Sequence, residues 1–166
     1  MDSPKSIVET EGLVKSTTLS SDFGNLENEH KPKTLSSKSA ALSGDLENLQ
    51  WLKTNGYDFE PNTFSYAALS GNLAVMKWLY TNGCAFDAYT FCYAAEHGNL
   101  ENLKWLKTSG CEFDDLTFAY AVEHGNLENI IWLKTSGCVP SSLTRGYAVK
   151  NGNKENIEWL KANGCF

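Results

Sequence analysis

The sequence is short of several things, and each shortage removes a class of protein. It has only 4 prolines and 2 methionines in 166 residues, no cysteine pair at C-x-x-C spacing, and no surplus of positive charge. Its 14 Lys and Arg stand against 20 Asp and Glu, a formal charge of −6. No stretch approaches the roughly 18 consecutive apolar residues of a membrane span, and the N-terminus lacks the apolar run of a secretory signal. An intracellular, cytoplasmic protein with no membrane contact is expected. The acidic balance also argues against nucleic acid, whose phosphates need a Lys/Arg surface. Five cysteines, an odd number, do not make a disulfide framework. The sequence has no Gly-rich phosphate loop, nucleophile elbow or metal-ligand motif, so a noncatalytic chain without metal or cofactor is expected.

What is present is a period of 27 residues. Tryptophans stand at 51, 78, 105, 132 and 159, each followed by Leu, and Gly follows five residues later at 56, 83, 110, 137 and 164. A second Gly column occupies 44, 71, 98, 125 and 152, and four cysteines, Cys84, Cys111, Cys138 and Cys165, keep the same step. Several columns in one register over five copies define a repeat array. Each unit reads as two short helices and a loop. The first helix opens at a Thr suited to the N-cap (Thr63, Thr90, Thr117, Thr144) and stops at a Gly suited to the left-handed C-cap. The second is capped by Asp45, Asn72, Asn99, Asn126 or Asn153 and carries a stripe such as Leu100, Leu103 and Leu106, with Trp105 beside it. Such short helices are marginal alone, so each pair must stack on the pairs before and after it. The recurring aromatics Phe59, Phe86 and Phe113 are expected as plugs under the connecting loops.

The unit Ala94-Ala95-Glu96-His97-Gly98-Asn99-Leu100-Glu101, with Gly110 twelve residues after Gly98, resembles an ankyrin repeat. It is similar to the shortened Trp-Leu-Lys-x-Asn-Gly-Cys form found in arrays of large DNA viruses and protists. The resemblance covers roughly residues 36 to 166. It implies an all-α ankyrin-type helical solenoid of about five stacked pairs, with units near 36–62, 63–89, 90–116, 117–143 and 144–166. The period is about six residues short of the family's usual unit, which puts any binding through a loop finger in doubt. Where the family prefers an aliphatic residue, Asn48, Asn102, Asn129 and Asn156 form a column broken only by Val75. If buried, these amides should bond the backbone of the neighbouring repeat.

Residues 1–35 hold many Ser and Thr and no period, so a disordered tail is expected there. Gly24-Asn25-Leu26-Glu27-Asn28 repeats the unit's phrase out of register. The first unit lacks Tyr and Phe in its first helix, as an N-terminal cap would. The last places Lys154 in the Leu column, Arg145 in the Phe column and Glu158 where Ile131 stands one repeat earlier, which fits either a C-terminal cap or a piece of a longer array.

Among chemistry-bearing columns, His97 and His124 stand beside Glu96 and Glu123. Packed helices lie about 10 Å apart, too far for a shared metal, and an imidazole in the last turn of a helix complements its dipole. The cysteines are expected as small buried thiols, and Trp51, Trp78, Trp105, Trp132 and Trp159 as structural core. Function is left to the columns that vary while the scaffold repeats. The candidate partner-binding residues are Asp87, Tyr89, Cys92, Glu96, Asp114, Asp115, Leu116 and Glu123 on first helices and loop edges. Small residues at Cys92, Ala119 and Gly146 are expected to leave room there. The resemblance places partners on that concave side, and its acidity favours an unidentified protein with a basic segment. The expectation is a monomeric, noncatalytic protein-interaction scaffold, with a spacer or divergent fragment lacking its own partner as the alternative. Charge reversal at Asp87, Asp114 and Asp115 is expected to leave folding intact.

Overall fold

A computed structural model of the chain describes residues 34–165 apart from 98, 125 and 152. The expected tail, save residues 34 and 35, and the out-of-register phrase at 24–28 lie outside the described residues. Among those described, the chain forms ten helices and no strands: α1 (Ser37–Leu42), α2 (Leu46–Thr54), α3 (Thr63–Ser70), α4 (Leu73–Thr81), α5 (Thr90–His97), α6 (Leu100–Thr108), α7 (Thr117–His124), α8 (Leu127–Thr135), α9 (Thr144–Asn151) and α10 (Lys154–Ala162). Contacts between repeats run mainly through the first helices, α1 on α3, α3 on α5, α5 on α7 and α7 on α9. The second helices touch their neighbours sparingly. The first helices are therefore the close-packed row.

Caps fix the second helices. Side-chain oxygens of Asp45, Asn99, Asn126 and Asn153 each accept from the backbone N–H three residues on, and Asn72 accepts from Ala74 and Val75. Each second helix ends before a glycine at positive φ, from 65° at Gly164 to 91° at Gly137, a region that any Cβ would strain. Gly71, at φ 70°, closes α3 as expected, whereas Gly98, Gly125 and Gly152 lie outside the described residues.

The threonines do not act as expected. Thr63, Thr90, Thr117 and Thr144 are buried and already helical, and the first three look backwards. The hydroxyls of Thr90 and Thr117 accept from the backbone N–H of Asp87 (3.0 Å) and Asp114 (3.1 Å), while that of Thr63 donates to the carbonyl of Glu60 (2.7 Å). The residue three places earlier takes the capping role instead: Asp114 Oδ1 accepts from the backbone N–H of Leu116 (2.7 Å) and Thr117 (2.6 Å). In the first loop, Glu60 accepts from the backbone N–H of Lys38 (3.1 Å) and the Ser36 hydroxyl (2.8 Å). These bonds hold its carboxyl below the usual carboxylate range.

The core is also built differently from the expectation. Its largest fully buried side chains include Phe64, Phe91 and Phe118 of the first helices, with Leu49, Met76, Leu103, Ile130 and Leu160 of the second. All five tryptophans are only half-buried. They sit at the core's edge because the Phe column already fills the space between first helices. The loop phenylalanines do pack against the core, and they join neighbouring repeats. Phe113 stands edge-on to Phe91 at 4.6 Å and to Trp132 of the next unit at 6.3 Å, and Phe86 bridges Phe64 (4.9 Å) and Trp105 (6.5 Å) in the same way. Trp78, Trp105 and Trp132 are thus the outer half of an aromatic staple across the first three junctions, and Pro140 takes the Phe position at the last.

The Asn column is buried. Asn102 Nδ2 donates to the carbonyl of Gly71, one repeat back, at 2.7 Å, which is the inter-repeat bond expected of such an amide. Asn48 stands in the first unit, where the described residues offer neither amide atom a partner. Asn102→Ala strands the Gly71 carbonyl and should cost about 1–3 kcal/mol. A urea titration is expected to show a lower midpoint at unchanged slope; an unchanged midpoint would remove the bond from the stability account.

Candidate functional surface

The outward face of each first helix follows from its spacing. Tyr93 follows Tyr89 by four residues, and Glu96 and His97 follow Tyr93 by three and four, so the set shares one side of α5 and the residue before it. The same phases on α7 hold Leu116, Tyr120, Glu123 and His124, and on α9 they hold Leu143, Tyr147 and Lys150. Stacking turns these phases into columns. The rings of Tyr66, Tyr93, Tyr120 and Tyr147 follow one another at 6.4, 6.3 and 5.9 Å, all half-buried. Burial is the main cause of the raised pKa of Tyr93 and Tyr120, with Glu96 adding to both. Beside this ladder, Tyr89 and Leu143 are each 46% exposed and stack or sit one turn earlier, Tyr89 lying 5.8 Å from Tyr93.

One turn later comes a charged column. Glu96 lies 3.2 Å from His97 Nε2 and 3.8 Å from His124 Nε2, and His124 is 3.4 Å from Glu123. Lys150 Nζ pairs with Glu123, and this bond is the main cause of the raised pKa of Lys150. The rings of His97 and His124 are 5.9 Å apart, well inside the helix-packing distance expected, because side chains in one column lean together on the close-packed row. Among the described residues no group of three or more His, Cys, Asp and Glu is arranged to hold a metal ion.

Several candidate binding residues are not where the sequence placed them. Cys92 is fully buried, as are Ser65 and Ala119 of its column, so these small residues fit the helix–helix contact and open no space on the surface. Gly146 alone in that column is exposed. Glu123 is 6% exposed and tied to Lys150. Asp87 and Asp114 are half-buried and committed to the fold: Asp87 Oδ1 accepts from the backbone N–H of Tyr89 (2.8 Å) and from the Ser65 hydroxyl of the preceding repeat, and Asp114 caps α7. The expectation that their reversal spares folding is therefore corrected. Asp115 is exposed and Leu116 half-buried. The residues brought together on one face are Tyr89, Glu96, Leu116 and Glu123, joined by the tyrosine ladder. Its even recurrence in the Tyr-Ala pairs was visible in the sequence, but its exposure was not.

All five cysteines are free and buried. Burial pushes the thiol of Cys84 up to about 11 and those of Cys92, Cys111 and Cys138 up to about 12. Ellman's reagent at neutral pH should label the native chain far more slowly than the chain in guanidinium, where all five thiols react. Rapid native labelling of any thiol in the column would show that its repeat opens.

No protein-family model matches the chain, and no curated protein matches it. The class that the fold defines is an all-helical array of successive packed helices. Among the described residues, no helix is long and apolar enough to cross a membrane.

Proposed function

We propose that this chain is an ankyrin-type, noncatalytic interaction scaffold that binds another protein along the close-packed row of first helices. The observation that carries the reading is the continuity of that face. An aromatic ladder four rungs long runs beside exposed Tyr89 and Leu143, with a charged column on its other edge. Half-buried tyrosines supply large contact area at low entropic cost, and a charged rim adds selectivity. A face of this kind on a rigid stack presents its side chains without reorganisation, which favours binding.

The test is a quantitative capture from native lysate with wild type, a Tyr89→Ser/Leu143→Ser variant, and an opposite-side Lys104→Ser control, all with matched thermal melts. A protein retained by wild type and the control but lost by the face variant supports the reading. Retention by all three overturns it.

A further inference from the structure

The geometry points to an extended, arginine-bearing segment of the partner protein as the ligand of this face, with alternate residues lying rung for rung on the tyrosine ladder and two arginines, on Tyr93 and Tyr120, flanking Glu96. The inference rests on the interaction face proposed above and specifies what it takes.

The spacing selects the conformation. Successive rings lie 6.4, 6.3 and 5.9 Å apart. An extended chain advances about 3.3 Å per residue, so side chains on one side recur at roughly 6.6 Å and stay within about 2 Å of register over four rungs. A helix does worse. Four of its residues advance roughly 6 Å but overshoot a full turn by roughly 40°, so its side chains leave the ladder before the fourth rung.

The charge selects the side chain. The protein itself shows how a cation sits here: Lys150 Nζ pairs with Glu123 and stands 5.9 Å from the centroid of the Tyr147 ring. Glu96 is the same position one repeat before Glu123, and it acts electrostatically on both Tyr93 and Tyr120. No Lys or Arg pairs with it among the described contacts; its partners are the imidazoles of His97 and His124. A guanidinium fits such a seat better than an ammonium, since it can lie flat on a tyrosine ring while donating two bonds to the carboxylate. Lys150 repels a further cation at the far end. There the ladder finishes in a shallow pocket of about 350 Å³ lined by Ser142, Leu143, Gly146, Tyr147 and Lys150, which suits an apolar residue.

The test uses three capped synthetic peptides and the full chain. They are Leu-Thr-Arg-Thr-Arg-Thr-Leu, its isomer with the two arginines adjacent, and its lysine analogue. By isothermal titration the alternating arginine peptide should bind about tenfold more tightly than its isomer, since only it places both cations on one side. It should also exceed the lysine analogue. Glu96→Gln should weaken it about tenfold, and Tyr93→Leu with Tyr120→Leu about fivefold, each titrated well below the variant's own melt. Equal binding of the two arginine isomers, or wild-type affinity in the tyrosine variant, overturns the extended ladder and leaves only nonspecific charge attraction. If no peptide binds while a captured protein still depends on Tyr89 and Leu143, this inference fails and the interaction face stands. If that dependence is absent too, both fail.

Discussion

Phe91→Ala is expected to cost about 3–5 kcal/mol, enough to leave much of the array unfolded at moderate urea. Phe91 is 1% exposed on α5, with Phe64 and Phe118 filling the same position on α3 and α7. Truncation therefore opens a cavity in the row where inter-repeat contact is densest, and it also removes the 4.6 Å edge contact that anchors Phe113. Stacked repeats draw stability from nearest-neighbour interfaces, so one cavity weakens the junctions on both sides. Trp105→Ala is the informative comparison. Trp105 is half-buried and touches Phe64, Tyr80 and Phe86 through its ring, at 6.4, 5.7 and 6.5 Å. Its loss should cost less, because part of its surface is already in water and less apolar area is uncovered. Urea titrations followed by circular dichroism give both numbers. A Trp105 variant weaker than the Phe91 variant would return the tryptophans to the centre of the core.

That comparison shows where sequence reading held and where it stopped. The period, the two-helix unit, the Asp and Asn caps and the positive-φ glycines were legible because each rests on local chemistry repeated in register. Trp and Phe could not be ranked so easily. Both recur every 27 residues, and which aromatic lies inside depends on how closely first helices approach across a junction, a distance no single repeat encodes. The same gap misplaced Cys92, whose small side chain marks a tight helix contact, and set His97 and His124 too far apart. Of the candidate surface, Tyr89 and Glu96 were found from their variation between copies. The tyrosine ladder was passed over because a residue that repeats faithfully reads as scaffold.

Asp114 is the sharpest case of a charge whose role changes between sequence and structure. Its Oδ1 accepts from the backbone N–H of Leu116 and Thr117 and from the Thr117 hydroxyl at 3.0 Å, so it completes the first turn of α7. Asp114→Lys removes these bonds and sets a cation against the positive end of a helix, at an expected cost of about 2–3 kcal/mol. Asp115→Lys, one residue on but exposed, should stay within about 0.5 kcal/mol of wild type. Asp114→Asn keeps an acceptor oxygen and should recover most of the loss. Thermal melts of the three variants separate the cap from the charge: if Asp114→Lys melts with wild type, the capping role is wrong and Asp114 belongs to the binding surface. If it falls as expected, binding lost on reversing Asp87, Asp114 and Asp115 together would report unfolding. Exposed Tyr89, Asp115 and Leu143, with Glu96, are then the positions to alter for recognition alone.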